Sequence, residues 1–561
     1  MSESSSSRLA SKMKKLNPFK RRASRDDEDP SEDVGEEIDS ETVAGGGHTA
    51  QVTDNARLGL QLNDAIKAYM AEQGIVASDD AEALRALLGK HHIQVPERVV
   101  EKNHPLPEYF ISSSHNTYLM AHQLFGASSA GAYEATLNAG ARCVEIDAWD
   151  NSDNPTEPKV THGYTLVSNI PFRAVCETIR NVMERDEAAS PGSVAPILLS
   201  LENHCDAAGQ LRLVEIMKEV FADRLLSAPV SDDNPEAHVN LAELGSKVVV
   251  IVEHHIPEEA EDSSSSSSSS SDEDVDEKQA RNDYKEKKKA NPNTIIIPEL
   301  EALGVYAQSV KPSNASWFGE GLLNSPHHPL INLSESGLSS HLPANAAAIA
   351  RHNAKHLMRV YPKGTRISSR NLRPEKFWGL GAQICAMNWQ TFGAGMQLND
   401  ALFSGTSGFV LKPDALRAGG DGVLLTGQRK KILRLTVGGA TDVPVPAGRT
   451  ADELKPYFTC SLLQPDSSVK RKTRALKDVG GEGGTLTPVW GETLEWEFDE
   501  TELEFIRFFI KSDDSYSSNP ILAVAAVRLL YVVPGWSFVP LLDLKGHQKG
   551  WLLAKFEIVN A

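Results

Sequence analysis

Residues 142–150 read Arg-Cys-Val-Glu-Ile-Asp-Ala-Trp-Asp. In an extended strand, residues two apart share a face, so Glu145 and Asp147 project side by side while Val144 and Ile146 pack opposite. Two carboxylates held this way repel unless a cation sits between them. Taken alone, the stretch fits a cation site and a solvated strand end with two unrelated acids equally well.

The flanking sequence repeats the theme. From Pro105 onward, short apolar strands (Tyr109–Ile111, Pro196–Leu201, Lys247–Val252) alternate with helical stretches, which implies parallel βαβ units. An insert at 257–293 breaks the pattern with acids, the serine run Ser263–Ser271 and the basic cluster Lys285–Lys289, and reads as a solvated linker. Alternation then continues over 296–417. Together the blocks 105–253 and 296–417 hold roughly 270 residues, near the ~250 of a (β/α)8 barrel. The predicted fold class is therefore multidomain: an α/β TIM-like barrel split by a low-complexity linker, then an all-β sandwich at 430–561. Residues 56–100 show helical spacing (Leu58, Leu62, Ile66, Met70, then Leu84, Leu88) without the D-x-[DN]-x-[DN]-G loop that calcium needs in an EF-hand, and read as a structural module.

Charge is segregated. The chain carries 57 Lys and Arg against 76 Asp and Glu, a net −19. Eight bases lie in Ser2–Arg25, ten acids in Asp26–Glu41 and nine in Glu258–Glu277. The two acidic runs equal the whole net charge, so the rest of the chain sums to neutral and has no basic excess for bulk nucleic-acid binding. Residues 1–55 are too poor in apolar groups to build a core and are expected to be disordered. Cys143, Cys176, Cys205, Cys385 and Cys460 form no CxxC pair, which argues against a disulfide scaffold and for a reducing compartment. No apolar run approaches the ~20 residues of a bilayer span. The expectation is a monomeric, cytoplasmic chain.

Three more strand ends carry chemistry: His115-Asn116 after Ile111-Ser-Ser-Ser, His162 after Val160-Thr161, and Glu202 after Leu198–Leu201. In a barrel they face one mouth. Asn116, Glu145, Asp147 and Glu202 make an all-oxygen donor set that suits Ca²⁺ or Mg²⁺ and not zinc. His115 and His162 are then acid–base groups. A lone histidine is usually a hydrogen-bonded core residue, but two beside three acids favour a site.

Tyr109–Tyr118 (YFISSSHNTY), Arg142–Asp150, His162–Thr165 and Leu199–His204 (LSLENH) resemble the X half of eukaryotic phosphoinositide-specific phospholipase C. Arg351–Pro362 (RHNAKHLMRVYP), Asn388–Thr391 (NWQT) and Gly408–Pro413 (GFVLKP) resemble its Y half, and the last 130 or so residues its C2 domain. The layout is similar to the smaller delta-like, fungal or plant types, with an EF-hand-like remnant and no PH domain. The resemblance implies calcium-dependent cleavage of inositol phospholipids, through a cyclic phosphate, to diacylglycerol and inositol phosphates. One catalytic Ca²⁺ is then held by Asn116, Glu145, Asp147 and Glu202. It further implies that Glu145 accepts the 2-hydroxyl proton, His115 stabilises transition-state charge and His162 is the general acid and base. Arg359, Tyr361 and Asn332 would contact the headgroup, and Leu124, Tyr164 and Leu166 would form an apolar membrane rim. The partner implied is a phosphoinositide at an anionic, cytosolic membrane face.

Several positions depart from the family pattern. Two headgroup lysines fall on Ile251 and Glu253, a serine on Asn332 and a rim aromatic on Thr365, so selectivity for the 4,5-bisphosphate is expected to be weakened. Lys455 and Ser512 replace C2 calcium acids, leaving Asp514, which predicts a C2 domain that braces the barrel without binding Ca²⁺ appreciably. The acidic insert resembles a linker that holds the barrel off anionic membranes. Leu16 and Phe19 among N-terminal bases, and Ser24 in a basophilic kinase context, are candidate tuning elements. Two rival readings are a catalytically silent inositide-binding scaffold of the same fold and a glycerophosphodiester phosphodiesterase. The second lacks a Y-like half and a C2 domain.

Overall fold

The computed structural model describes Glu36, Leu60, 62–77, 80–119, 128–162, 169–230, 237–254, 296–312, 316–319, 325–363, 370–424, 427, 429–477, 479, 484–513 and 519–561. The expectations for Leu16, Phe19, Ser24, Leu124, Tyr164, Leu166, Thr365, Asp514 and the 257–293 linker fall outside these residues. So does the 1–55 tail apart from Glu36, whose amide donates to the Leu544 carbonyl at 3.0 Å.

Helices α1 (Asp64–Glu72) and α2 (Ala81–Gly89) precede eight parallel strands. The strands are β1 (Tyr109–Ile111), β2 (Cys143–Trp149), β3 (Ile197–His204), β4 (Val248–Glu253), β5 (Gln308–Val310), β6 (Pro329–Ser334), β7 (Leu357–Tyr361) and β8 (Ile384–Cys385). Each from β2 onward pairs in parallel with the next. β8 pairs with β1 at Ile111, and a Ser113–Cys143 bridge joins β1 to β2. The ring is thus a closed barrel, as expected, and all eight strand ends open on one mouth.

Strand β4 shows why these runs are almost wholly apolar. Val248, Val250 and Val252 pack outward with Val144, Ile146, Leu199 and Leu201 against α3 (Ala130–Asn138), α4 (Phe172–Ala189) and α5 (Ala207–Phe221). Val249 and Ile251 point inward, beside Cys143, Leu198, Leu330, Leu357 and Ile384. A parallel strand covered on both faces has no polar side, and each buried aliphatic chain contributes about 1.5–3 kcal/mol.

Two expectations need correction. Val160-Thr161-His162 does not end a barrel strand: Lys159–Val160 runs antiparallel beside β2, with Ala148 opposite Val160, as part of a short ribbon with Ile170–Pro171. The last apolar strand of the alternating region, β9 (Phe409–Leu411), runs antiparallel along β1 and does not extend the parallel set. In both cases the local apolar pattern is the same for either direction, and connection geometry decides.

The all-β region forms a sandwich. Its strands are β10 (Lys430–Thr441), β11 (Pro456–Gln464), β12 (Ser467–Lys472), β13 (Val489–Asp499), β14 (Phe505–Ser512), β15 (Ile521–Arg528), β16 (Gly535–Leu542) and β17 (Gln548–Asn560). Pairing runs β12-β11-β14-β15 and β16-β17-β10-β13, and the two halves join through the single pair Val524–Leu542. The inner faces meet over Leu435, Phe458, Trp496, Phe508 and Phe556. The helical module docks on the sandwich. Ile66 and Tyr69 lie where a Cβ at Gly439 or Gly438 would come within 2.7 or 2.9 Å, so only glycine admits the helix there. Tyr69 meets Trp536 edge-on at 6.3 Å.

Barrel and sandwich share a core. Helix α6 (Ala394–Phe403) places Leu398 and Leu402 among Phe505, Phe509, Val524 and Leu542, and Arg507 donates to Gln397 at 2.7 Å. Among the described residues no helix is long and apolar enough to cross a membrane.

Candidate active site

Strand register brings the acids together. Parallel pairing sets Asp147 beside Glu202 and Glu145 beside Ser200. Because β2 alternates, both its acids face into the mouth, and one carboxylate oxygen from each of Glu145, Asp147 and Glu202 lies within 4.8 Å of the others. Glu145 is 3% and Asp147 4% exposed. Glu202 is 35% exposed, but taking the other two acids this far out of water demands compensation, and the chain supplies part of it. Arg359, on β7 and also buried, places Nη2 2.5 Å from Glu145 Oε1. The Asn116 amide donates to Glu145 Oε2 at 2.7 Å, from a backbone held at φ 46°. The Glu145 amide donates to Thr117 Oγ1, and Tyr133 donates to the Glu145 carbonyl at 2.8 Å.

Asp147 is less well served. The Tyr118 hydroxyl donates to its Oδ2 at 2.6 Å and lies 3.2 Å from Asn116 Oδ1, which puts the carboxamide oxygen beside the acid cluster. Asp147 Oδ1 is buried without a hydrogen-bond partner. Burial, with Glu202 and Glu145 nearby, pushes the Asp147 carboxyl well above the usual range. An orphaned carboxylate oxygen amid an all-oxygen donor set fits a hard cation, and Asn116, Glu145, Asp147 and Glu202 are the residues placed to hold one.

The histidines differ. His115, in the turn after β1, faces Asn388: Nδ1 and Oδ1 are 2.9 Å apart. Asn388 Nδ2 donates to the Arg370 carbonyl, so its oxygen is the atom offered to His115, and Nδ1 carries the proton. Asn388 is gripped in turn by Asn371, through 2.6 and 2.8 Å bonds. Burial pushes the His115 imidazolium down, opposed in part by Glu145. In the neutral ring, Nε2 then carries the lone pair. His162 arrives on the ribbon: the Thr161 amide meets the Asp147 carbonyl at 3.3 Å, and the partly buried His162 follows.

Of the headgroup candidates, Arg359 also reaches Asn332 Oδ1 at 3.3 Å, and its guanidinium lies 5.6 Å over the Tyr361 ring. The Tyr361 ring is parallel to His115 at 6.5 Å. Asn332, Arg359 and Tyr361 thus gather on one side of the mouth. Ile251 is 1% exposed and faces the interior, whereas Glu253, two residues on, sits at the rim 3.5 Å from Lys311 Nζ. In the sandwich, the Ser512 hydroxyl accepts from the Lys455 amide at 2.9 Å.

Sequence reading missed the residues that hold the others in place. Tyr118, Thr117 and Tyr133 anchor the acids, while His204, stacked on Trp149 at 4.0 Å, lies 3.3 Å from Glu202. Tyr118, Thr117 and His204 stand inside quoted motifs, and Asn388 opens NWQT, so proximity in sequence was the available signal. Lys311 had none.

Comparison with known proteins gives one answer throughout. Residues 102–254 match the family model described as phosphatidylinositol-specific phospholipase C, X domain; residues 300–415 match its Y domain, and 431–543 match a C2 domain. The chain is 31% identical over 492 residues to 1-phosphatidylinositol 4,5-bisphosphate phosphodiesterase zeta-1 of Rattus norvegicus, covering 80% of this chain and 72% of that one. It is 31% identical over 474 residues to the Dictyostelium discoideum 1-phosphatidylinositol 4,5-bisphosphate phosphodiesterase, covering 78% and 57%. The crystal structure of L. pealei PLC21 superposes with a TM-score of 0.68 at 24% identity, over 88% of this chain and 62% of that one, a likeness of fold.

Proposed function

The chain belongs to the phosphoinositide-specific phospholipase C family, and on that premise we propose that it is a calcium-dependent phosphodiesterase of inositol phospholipids. It releases diacylglycerol and an inositol phosphate by way of a cyclic phosphate. The observation that carries the reading is the cluster of Glu145, Asp147 and Glu202 at the barrel mouth, with an orphaned Asp147 oxygen and His115 beside it.

Asn116, Glu145, Asp147 and Glu202 would hold Ca²⁺, which when bound would supply Lewis acidity at the reacting centre. Glu145 takes the hydroxyl proton. Its ion pair with Arg359 holds the carboxylate in position until substrate arrives. His115 faces the phosphoryl group with Nε2, its ring fixed by Asn388. An anionic phosphate against that nitrogen raises its affinity for a proton, so the ring becomes a charged donor where charge develops. His162 gives its proton to the departing diacylglycerol oxygen. It then takes one from the water that opens the cyclic phosphate. Arg359, Tyr361 and Asn332 contact the inositol ring.

Neither Ile251 nor Glu253 can offer a positive charge to a ring phosphate, so discrimination in favour of the 4,5-bisphosphate is weak. The protein works as a monomer at the cytosolic face of an anionic membrane, and its sandwich braces the barrel. The test is release of water-soluble inositol phosphates from vesicles of phosphatidylinositol and of its 4,5-bisphosphate. Release from both, abolished by chelating calcium, is expected. A strong bisphosphate preference would overturn the headgroup reading, and no release from either lipid would overturn the enzyme reading.

A further inference from the structure

The headgroup side of the mouth is not without an accessible cation. Lys311 follows β5 directly, at the same end of the barrel as the acids. Its side chain is 54% exposed, and its Nζ is 3.5 Å from Glu253 Oε1 at the end of the neighbouring strand. The parallel register that sets Glu253 beside Ser309 brings the two together. Partial removal from water works against the charged ammonium, as does Arg359, but Glu253, Glu202 and Tyr361 together outweigh them and hold the amine above its ordinary range. Arg359, by contrast, is 4% exposed and engaged by Glu145 and Asn332. An inositol ring seated over Arg359 and Tyr361 therefore has in Lys311 an exposed positive group toward the Glu253 side.

We infer that Lys311 reads a phosphomonoester on the inositol ring, and that Glu253 limits the gain by competing for the same ammonium. This rests on the proposed activity and deepens it: the substrate class is phosphoinositide with a modest premium for a ring phosphate. A point-charge contact from an ammonium to a phosphate dianion, partly open to water, is worth about tenfold in turnover or binding.

The experiment compares phosphatidylcholine vesicles containing phosphatidylinositol, its 4-phosphate or its 4,5-bisphosphate, alongside calorimetric binding of soluble inositol 1,4-bisphosphate. Lys311→Ala is expected to lower the ratio of phosphorylated to unphosphorylated turnover about tenfold and to weaken the soluble ligand by a similar factor. Lys311→Arg retains the ratio, and Glu253→Gln raises it. An equal fall on all three lipids, with soluble binding intact, would overturn the inference in favour of general membrane contact, as would ratios that do not move. If the wild-type protein hydrolyses no lipid yet loses inositol bisphosphate binding in Lys311→Ala, the inference stands and the catalytic reading falls.

Discussion

Burial and the Glu202 and Glu145 charges hold the Asp147 carboxyl well above its usual range. A carboxyl raised on folding binds its extra proton in the native state. The stability it contributes is full below the unfolded value near 3.9 and is lost as pH rises through the folded value. A cation bound at the cluster relieves the loss, so calcium should raise the melting temperature more at pH 8 than at pH 5.5, and Asp147→Asn should flatten that difference. A calcium shift independent of pH would contradict the account. Tyr118 tests the same residue from its other side. Tyr118→Phe removes the 2.6 Å bond that orients Asp147, and the calcium needed for half-maximal activity should rise about 10–100-fold; an unchanged requirement in a calcium titration would rule that role out. Glu145, Asp147 and Glu202 were legible in the sequence because strand alternation and motif spacing place them. Their supports were not, because whether Tyr118 or Asn388 meets its partner depends on rotamers and on strands remote in sequence.

At the scale of elements, parallel strands announce themselves through apolar runs covered on both sides, and β2, β3 and β4 fell where the alternation put them. The direction of Lys159–Val160 and of β9 was not legible, since a two- or three-residue strand has the same pattern either way. The docking of α1 was equally hidden: its apolar spacing told of a buried face but not of the sandwich that covers it. Gly438 and Gly439 make the room, and Ile66 fills it. Ile66→Ala should cost about 2–5 kcal/mol in urea unfolding while leaving the calcium requirement of catalysis where it was. A loss below 0.5 kcal/mol would mean that the helix contributes little to the fold.

For the whole molecule, the core that α6 shares with β14 and β15 makes barrel and sandwich one packed body. Calorimetry should therefore record one cooperative transition for both. Arg507→Ala, which breaks the bond to Gln397, should lower that transition and leave it single; two resolved transitions in the parent protein would refute the shared core. The claim on which everything else depends is that the acid cluster and its two histidines form a calcium-dependent phosphodiesterase. Its most direct test is inositol phosphate release from phosphatidylinositol vesicles across a calcium titration, with His162→Ala measured in parallel. The account predicts release that rises with calcium and falls about 10²–10⁴-fold in the variant. Release that ignores calcium, or that survives His162→Ala undiminished, would contradict it.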